Sequence, residues 1–252
     1  MIIRPKSACA AVPLDRAGRP RPAFHFNRFL AFLAVPLFAA VAPGAAPSVP
    51  DVLARFDEAA ASFHAASAQF RQISHTAVID DDTEDRGSMV IYKAPNHDLN
   101  GLMEYLGKDR RSVSINRGAI QIFHPKTNSV EVYELGKHGE QVVQFLLIGF
   151  GTSGKELAAD YQVRVLPTNP SGPPNTTRLE LVPKSPDALK YLKKVDLWIQ
   201  DGAAYPVQEK LYQPSGDYTL VVYSGLQVNP TLPKEALEMK LPKNVRFEHP
   251  MR

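Results

Sequence analysis

The run with the most chemical potential is Gly149-Phe150-Gly151-Thr152-Ser153-Gly154-Lys155. It satisfies G-x-G-x-x-G and most of a phosphate-binding loop, where glycines let backbone N–H groups close on phosphate at a helix start. A phosphate loop needs Ser or Thr after the lysine to hold magnesium, and Glu156 stands there. The flanks also lack the strand-helix alternation of a nucleotide fold. The run therefore reads as a connector between a helix and a strand. Asp80-Asp81-Asp82-Thr83-Glu84-Asp85 gathers the hard oxygen ligands that calcium takes. Read from Asp80, the calcium-loop pattern fails at its glycine position, Asp85, and at its closing glutamate, Ile91. A solvated hairpin tip is the expectation.

Nucleophiles and metal ligands are equally scattered. His64, His75, His97, His124 and His138 show no HExxH and no i, i+4 pair, although a two-His site on a strand stays open. There is no G-x-S-x-G elbow. The single cysteine, Cys9, rules out an internal disulfide and a Cys-rich zinc site. Neither enzymatic activity nor a cofactor or metal is expected.

The elements that would position any site begin with an address. Arg16, Arg19, Arg21 and Arg28 precede the uncharged apolar run 29–46, and small residues follow at Ala40, Ala42, Gly44, Ala45 and Ala46. This order reads as a cleaved signal peptide over residues 1–46 with a long basic leader, implying export to the periplasm. A membrane anchor is the competing reading, disfavoured by Pro36 and Pro43. The whole chain of 252 residues carries 29 basic and 26 acidic side chains. Six of the basic and one of the acidic residues precede residue 49, leaving 23 against 25 in the body. The basic excess belongs to the leader, so no nucleic-acid partner is expected. The body, 49–252, is read as one domain.

Within it, apolar residues from Val52 to Phe63 recur at helical spacing, after a Pro50-Asp51 start. The pattern changes to strand-like alternation after about Ser67. Short β-branched and aromatic segments separated by Gly, Pro, Asn and Asp then follow to the end of the chain. About ten or eleven antiparallel strands should curl into a barrel or half-barrel. A helical face at 140–148 and a helical turn at 155–159 interrupt them. Each strand has an apolar face: Met89 and Ile91, Val113 and Ile115, Ile120 and Ile122, Leu179 and Leu181, Leu197 and Ile199, Leu220 and Val222. Together these outnumber what a curled sheet needs to fill itself, which points to an apolar ligand.

The order of several segments resembles the LolA family of periplasmic outer-membrane lipoprotein carriers. They are Phe63-His64-Ala65 and Ala68-Gln69-Phe70-Arg71-Gln72; Gly87 to Lys93 with Pro95-Asn96; Arg117-Gly118 with Ile120 to Pro125; Gln144 to Gly149; Leu179 to Lys184; and Leu241 to Val245. The resemblance implies a mainly β fold, an unclosed antiparallel β-barrel with a helical lid over an apolar cavity. It also implies that acyl chains of lipoproteins enter that cavity, lined by the apolar pairs above with Phe145 and Leu146 of the lid. Partners would be acylated lipoproteins, an inner-membrane releasing transporter and an outer-membrane acceptor, with the carrier itself a monomer. Many carriers hold the lid closed with an arginine before the proline, where this chain has Ala94 before Pro95. An envelope module that senses lipid or lipoprotein, or a periplasmic hydrolase, are the alternatives.

Overall fold

The computed structural model describes residues 47–250 apart from 97, 117, 137–142, 144–146, 168–171 and 234. The signal-peptide expectation thus lies outside the described residues, as do Phe145, Leu146, His97, His138 and most of the 140–148 helix.

Helix α1, Val49–Ser62, starts one turn earlier than its apolar pattern, because Ser48 caps it reciprocally with Asp51. Val52, Phe56 and Ala60 form its buried stripe. It also stops sooner than periodicity suggests. Asn229, far along the chain, accepts from the backbone N–H of His64 at 2.9 Å and of Ala65 at 3.2 Å, and donates to the Ser62 carbonyl. Those groups are committed to a tertiary partner, so strand β1 begins at Ala65.

Among the described residues, twelve strands form one sheet. The first six are β1 (Ala65–Thr76), β2 (Asp81–Lys93), β3 (Leu99–Leu106), β4 (Arg111–Ile115), β5 (Ala119–His124) and β6 (Ser129–Glu134). After helix α2 (Gly154–Asp160) come β7 (Tyr161–Leu166) and β8 (Thr176–Pro183), then the single turn α3 (Pro186–Leu189). The last four are β9 (Lys194–Gln200), β10 (Pro206–Tyr212), β11 (Tyr218–Val228) and β12 (Arg246–Glu248). The order across the sheet is β12-β6-β5-β4-β3-β2-β1-β11-β10-β9-β8-β7, antiparallel except for β12 on β6. It does not close on itself, as the unclosed-barrel expectation holds.

The additional strand relative to ten or eleven is β12. It is three residues long and follows a polar, proline-rich stretch with no alternation to announce it. What holds the stretch in place is packing: Met239, Leu241 and Val245 lie on Phe123, Val130 and Val132, on the outer face of β5 and β6. Among the described residues, no helix is long and apolar enough to cross a membrane.

Candidate functional site: the inner face of the sheet

Register assigns each side chain a face, because partners across a ladder point the same way. One row runs Ala66, Ile91, Gly101, Ile115, Ile120, Tyr133; the next runs Ala68, Met89, Met103, Val113, Ile122, Glu131. On the other arm Leu179 and Leu197 align with Glu209 and Val221, while Thr177 aligns with Ile199 and Leu181 with Val195. Met89, Ile91, Val113, Ile115, Ile120, Ile122, Leu179, Leu181, Leu197 and Ile199 therefore share the inner face. Leu220 and Val222 do not. They align with Ile73 and Arg71 on the outer face, and Val221 and Tyr223 point inward instead. The β11 segment YTLVVYSGLQV is apolar on both faces, so alternation alone could not fix which one turns inward.

The inner face is not uniform. Leu179, Leu181, Leu197 and Ile199 are fully buried beneath Val52 and Phe56 of α1, Leu157 of α2 and Ile148. That arm is a filled core. On the β1–β6 arm, Met89, Ile91 and Ile115 are buried with Phe63, Val143, Leu147 and Phe150, whereas Met103, Val113, Ile120 and Ile122 are only half-buried. An apolar ligand would thus meet the β3–β5 part of the sheet first, without disturbing α1.

Topology explains why this face is covered. Strand β6 lies beside one edge and β7 forms the other, so the chain between Glu134 and Gly154 must cross from arm to arm. Its described apolar residues are buried against both: Val143, Leu147 and Phe150 in one cluster, Ile148 in the other. The Leu147 N–H donates to the Val143 carbonyl at 3.0 Å.

The glycines after this crossing are there for packing. A Cβ on Gly154 would lie 2.1 Å from the Leu53 carbonyl oxygen of α1, and Gly151, at φ +70°, lies against the Phe63 ring. Glu156 completes the capping of α2: its carboxylate accepts from the Ser153 N–H at 2.7 Å, and Ser153 Oγ accepts from the Glu156 N–H. The Lys155 N–H donates to Asp57. A carboxylate thus occupies the helix start where a phosphate would sit. Gly154→Ala is expected to cost about 2 kcal/mol or more, because backbone rather than a movable side chain meets the added methyl. Chemical denaturation would show the lowered midpoint.

A buried carboxyl stands inside the mostly apolar wall. Glu209 of β10 is buried between its ladder partners Leu197 and Val221. Its Oε1 accepts from the Tyr223 hydroxyl at 2.5 Å, while Oε2 is buried with no hydrogen-bond partner. Burial pushes the Glu209 carboxyl up to about 7, partly opposed by the Tyr223 bond. Burial and the adjacent carboxyl push Tyr223 well above the usual phenol range. Nothing in the sequence marks this residue, because a lone Glu in VQEKLYQ resembles any solvated strand position.

The outer face carries ions. Asp196, wholly buried, accepts from Arg178 at 2.6 Å, Lys194 at 3.2 Å and the Tyr212 hydroxyl at 3.2 Å. Glu180 continues the row by accepting from Lys194 and Arg164. The acidic hairpin is dispersed over both faces of β2: on the outer face Asp82 meets His75 at 2.9 Å and Glu84 takes Arg71 and Arg86, while on the inner face Asp85 pairs with Arg111 at 2.7 Å. Among the described residues, no group of three metal-ligating side chains converges.

No protein-family model matches the chain, and no curated protein matches it in sequence. Among solved structures it is similar to MucB, at 14% identity and a TM-score of 0.47, covering 76% of this chain and 62% of that one. It is similar to the chain in the Pseudomonas aeruginosa MucA/MucB complex at 15% identity and 0.43, covering 76% and 61%. A LolA superfamily protein from Nitrosomonas europaea matches at 12% identity and 0.38, covering 77% and 99%. The chain spans about three fifths of the length of the MucB chains it matches.

Proposed function

We propose that the protein is a non-enzymatic periplasmic carrier that shelters lipoprotein acyl chains and moves lipoproteins from the inner to the outer membrane. In this reading it takes cargo from an inner-membrane releasing transporter and delivers it to an outer-membrane acceptor. The observation that carries the reading is the half-buried apolar patch of Met103, Val113, Ile120 and Ile122, inside an open sheet and beside a crossing segment. Each CH₂ removed from water is worth about 0.8 kcal/mol, so acyl chains crossing an aqueous compartment need such a wall.

The test is uptake of a fluorescent diacylated peptide by the purified body of the protein, with its deacylated twin as control. Ile122→Glu is expected to weaken uptake at least tenfold with little change in melting temperature, because the residue is half-buried. Leu197, in the filled arm, would be a poor probe: a glutamate there unfolds the core. Equal binding of the acylated and deacylated peptides would sink the carrier reading.

A further inference from the structure

Glu209 has no structural task that matches the cost of burying it. A buried carboxyl without full pairing is expensive, and a leucine or methionine at this position would pack against Leu197 and Val221 without that penalty. Among the described residues, no lysine, arginine or histidine acts on it. Of the titratable groups on its side, Tyr223 on β11 bonds it directly and Tyr105 on β3 lies next to Tyr223. The Tyr223 hydroxyl is a donor to Oε1, so the carboxyl is used as an acceptor. Its second oxygen is left with unused acceptor capacity, between the apolar ladder partners Leu197 and Val221. On the side of the crossing segment, Phe150 stands edge-on to the Tyr223 ring at 5.3 Å. Tyr223 itself is only partly buried, so the pair borders the accessible part of the interior.

We infer that Glu209, positioned by Tyr223, is a polar subsite inside the apolar interior, taking a hydrogen bond from an N–H at the polar junction of an acyl ligand. The inference rests on the acyl-binding reading above and adds a chemical preference to it: amide-linked chains over ester-linked ones. An ester offers only acceptors, which the ionised carboxylate repels and only the neutral carboxyl can meet. An amide N–H supplies the missing donor and stabilises the ionised form, so its binding releases protons from Glu209 near neutral pH.

Two probes differ only at that junction, N-methyldodecanamide and methyl dodecanoate. Each is titrated against the wild-type protein by displacement of a fluorescent fatty-acyl reporter, then by calorimetry at pH 7 in phosphate and in Tris. The expected result is about tenfold tighter binding of the amide, with release of about half a proton for the amide only. Glu209→Met brings the two affinities within twofold. Glu209→Gln, which keeps an acceptor oxygen, abolishes proton release, and reads the same point should the methionine variant not fold. Equal affinities in the wild type, or an amide preference that survives Glu209→Met, overturn the subsite while leaving the acyl-binding reading in place. Failure of both probes to bind overturns both.

Discussion

Replacing Asp196 by alanine is expected to lower the unfolding free energy by about 4 kcal/mol, among the largest effects of any single side chain here. The carboxylate is completely buried and is the common acceptor for Arg178, Lys194 and the Tyr212 hydroxyl. Removing it leaves the mostly buried Arg178 guanidinium without its partner, beside the Trp198 ring and with its Nε already unpaired. Lys194 retains Glu180, so the loss falls mainly on arginine. Guanidinium-chloride unfolding of the variant, with Arg178→Met and the double variant completing the cycle, separates the pair from its surroundings. The double variant should recover much of the stability, since two apolar side chains need no partner. A loss below about 1 kcal/mol for Asp196→Ala would mean that solvent reaches this row more easily than its burial implies.

The second large effect is a pH dependence of opposite sign to that of ordinary carboxylates. Glu209 is pushed from 4.5 to about 7 in the folded protein, so between those values the native state binds more protons than the unfolded chain. Stability from this group is fully present below about pH 4.5 and is lost as pH rises through about 7. The shift corresponds to about 3 kcal/mol at 1.36 kcal/mol per pH unit. Paired surface carboxylates such as Glu84 and Asp109 are pulled down and act the other way. The measurable quantity is therefore the difference between wild type and Glu209→Gln. The variant, which keeps an oxygen for Tyr223, should gain about 3 kcal/mol relative to wild type between pH 4.5 and pH 8. A difference that stays flat across that range would show that the carboxyl is solvated when ionised.

What was legible in the sequence was the part governed by local period. Helix α1, the turns and nearly every strand follow from alternation and breakers, because a half-buried strand must repeat every two residues. Resemblance supplied the unclosed barrel. The face of β11 was not legible, since Leu220, Val221, Val222 and Tyr223 are a continuous apolar run and only its pairing with Phe70 and Gln72 decides which side turns inward. Residues whose role depends on distant chain were also hidden. Asn229 looks like a turn residue, yet it ends α1. Glu209 and Asp196 look like solvated strand positions until ladder partners more than ten residues away bury them. Ten of the apolar residues singled out in the sequence share the inner face, but its division into a filled arm and a half-covered arm comes from where α1 and α2 pack, which alternation does not encode.

The pairing of β1 with β11 has a kinetic meaning. The backbone of His64 meets Asn229 across 165 residues of chain, and every strand between them lies on one arm or the other. Each arm can assemble from neighbouring hairpins, whose loops are short and quick to close. The seam between the arms must await β11, Tyr218–Val228. Until then β1 presents an open edge over its twelve residues, a template for intermolecular pairing. A chain built this way has its greatest exposure to aggregation not when β1 first emerges but just before β11 does.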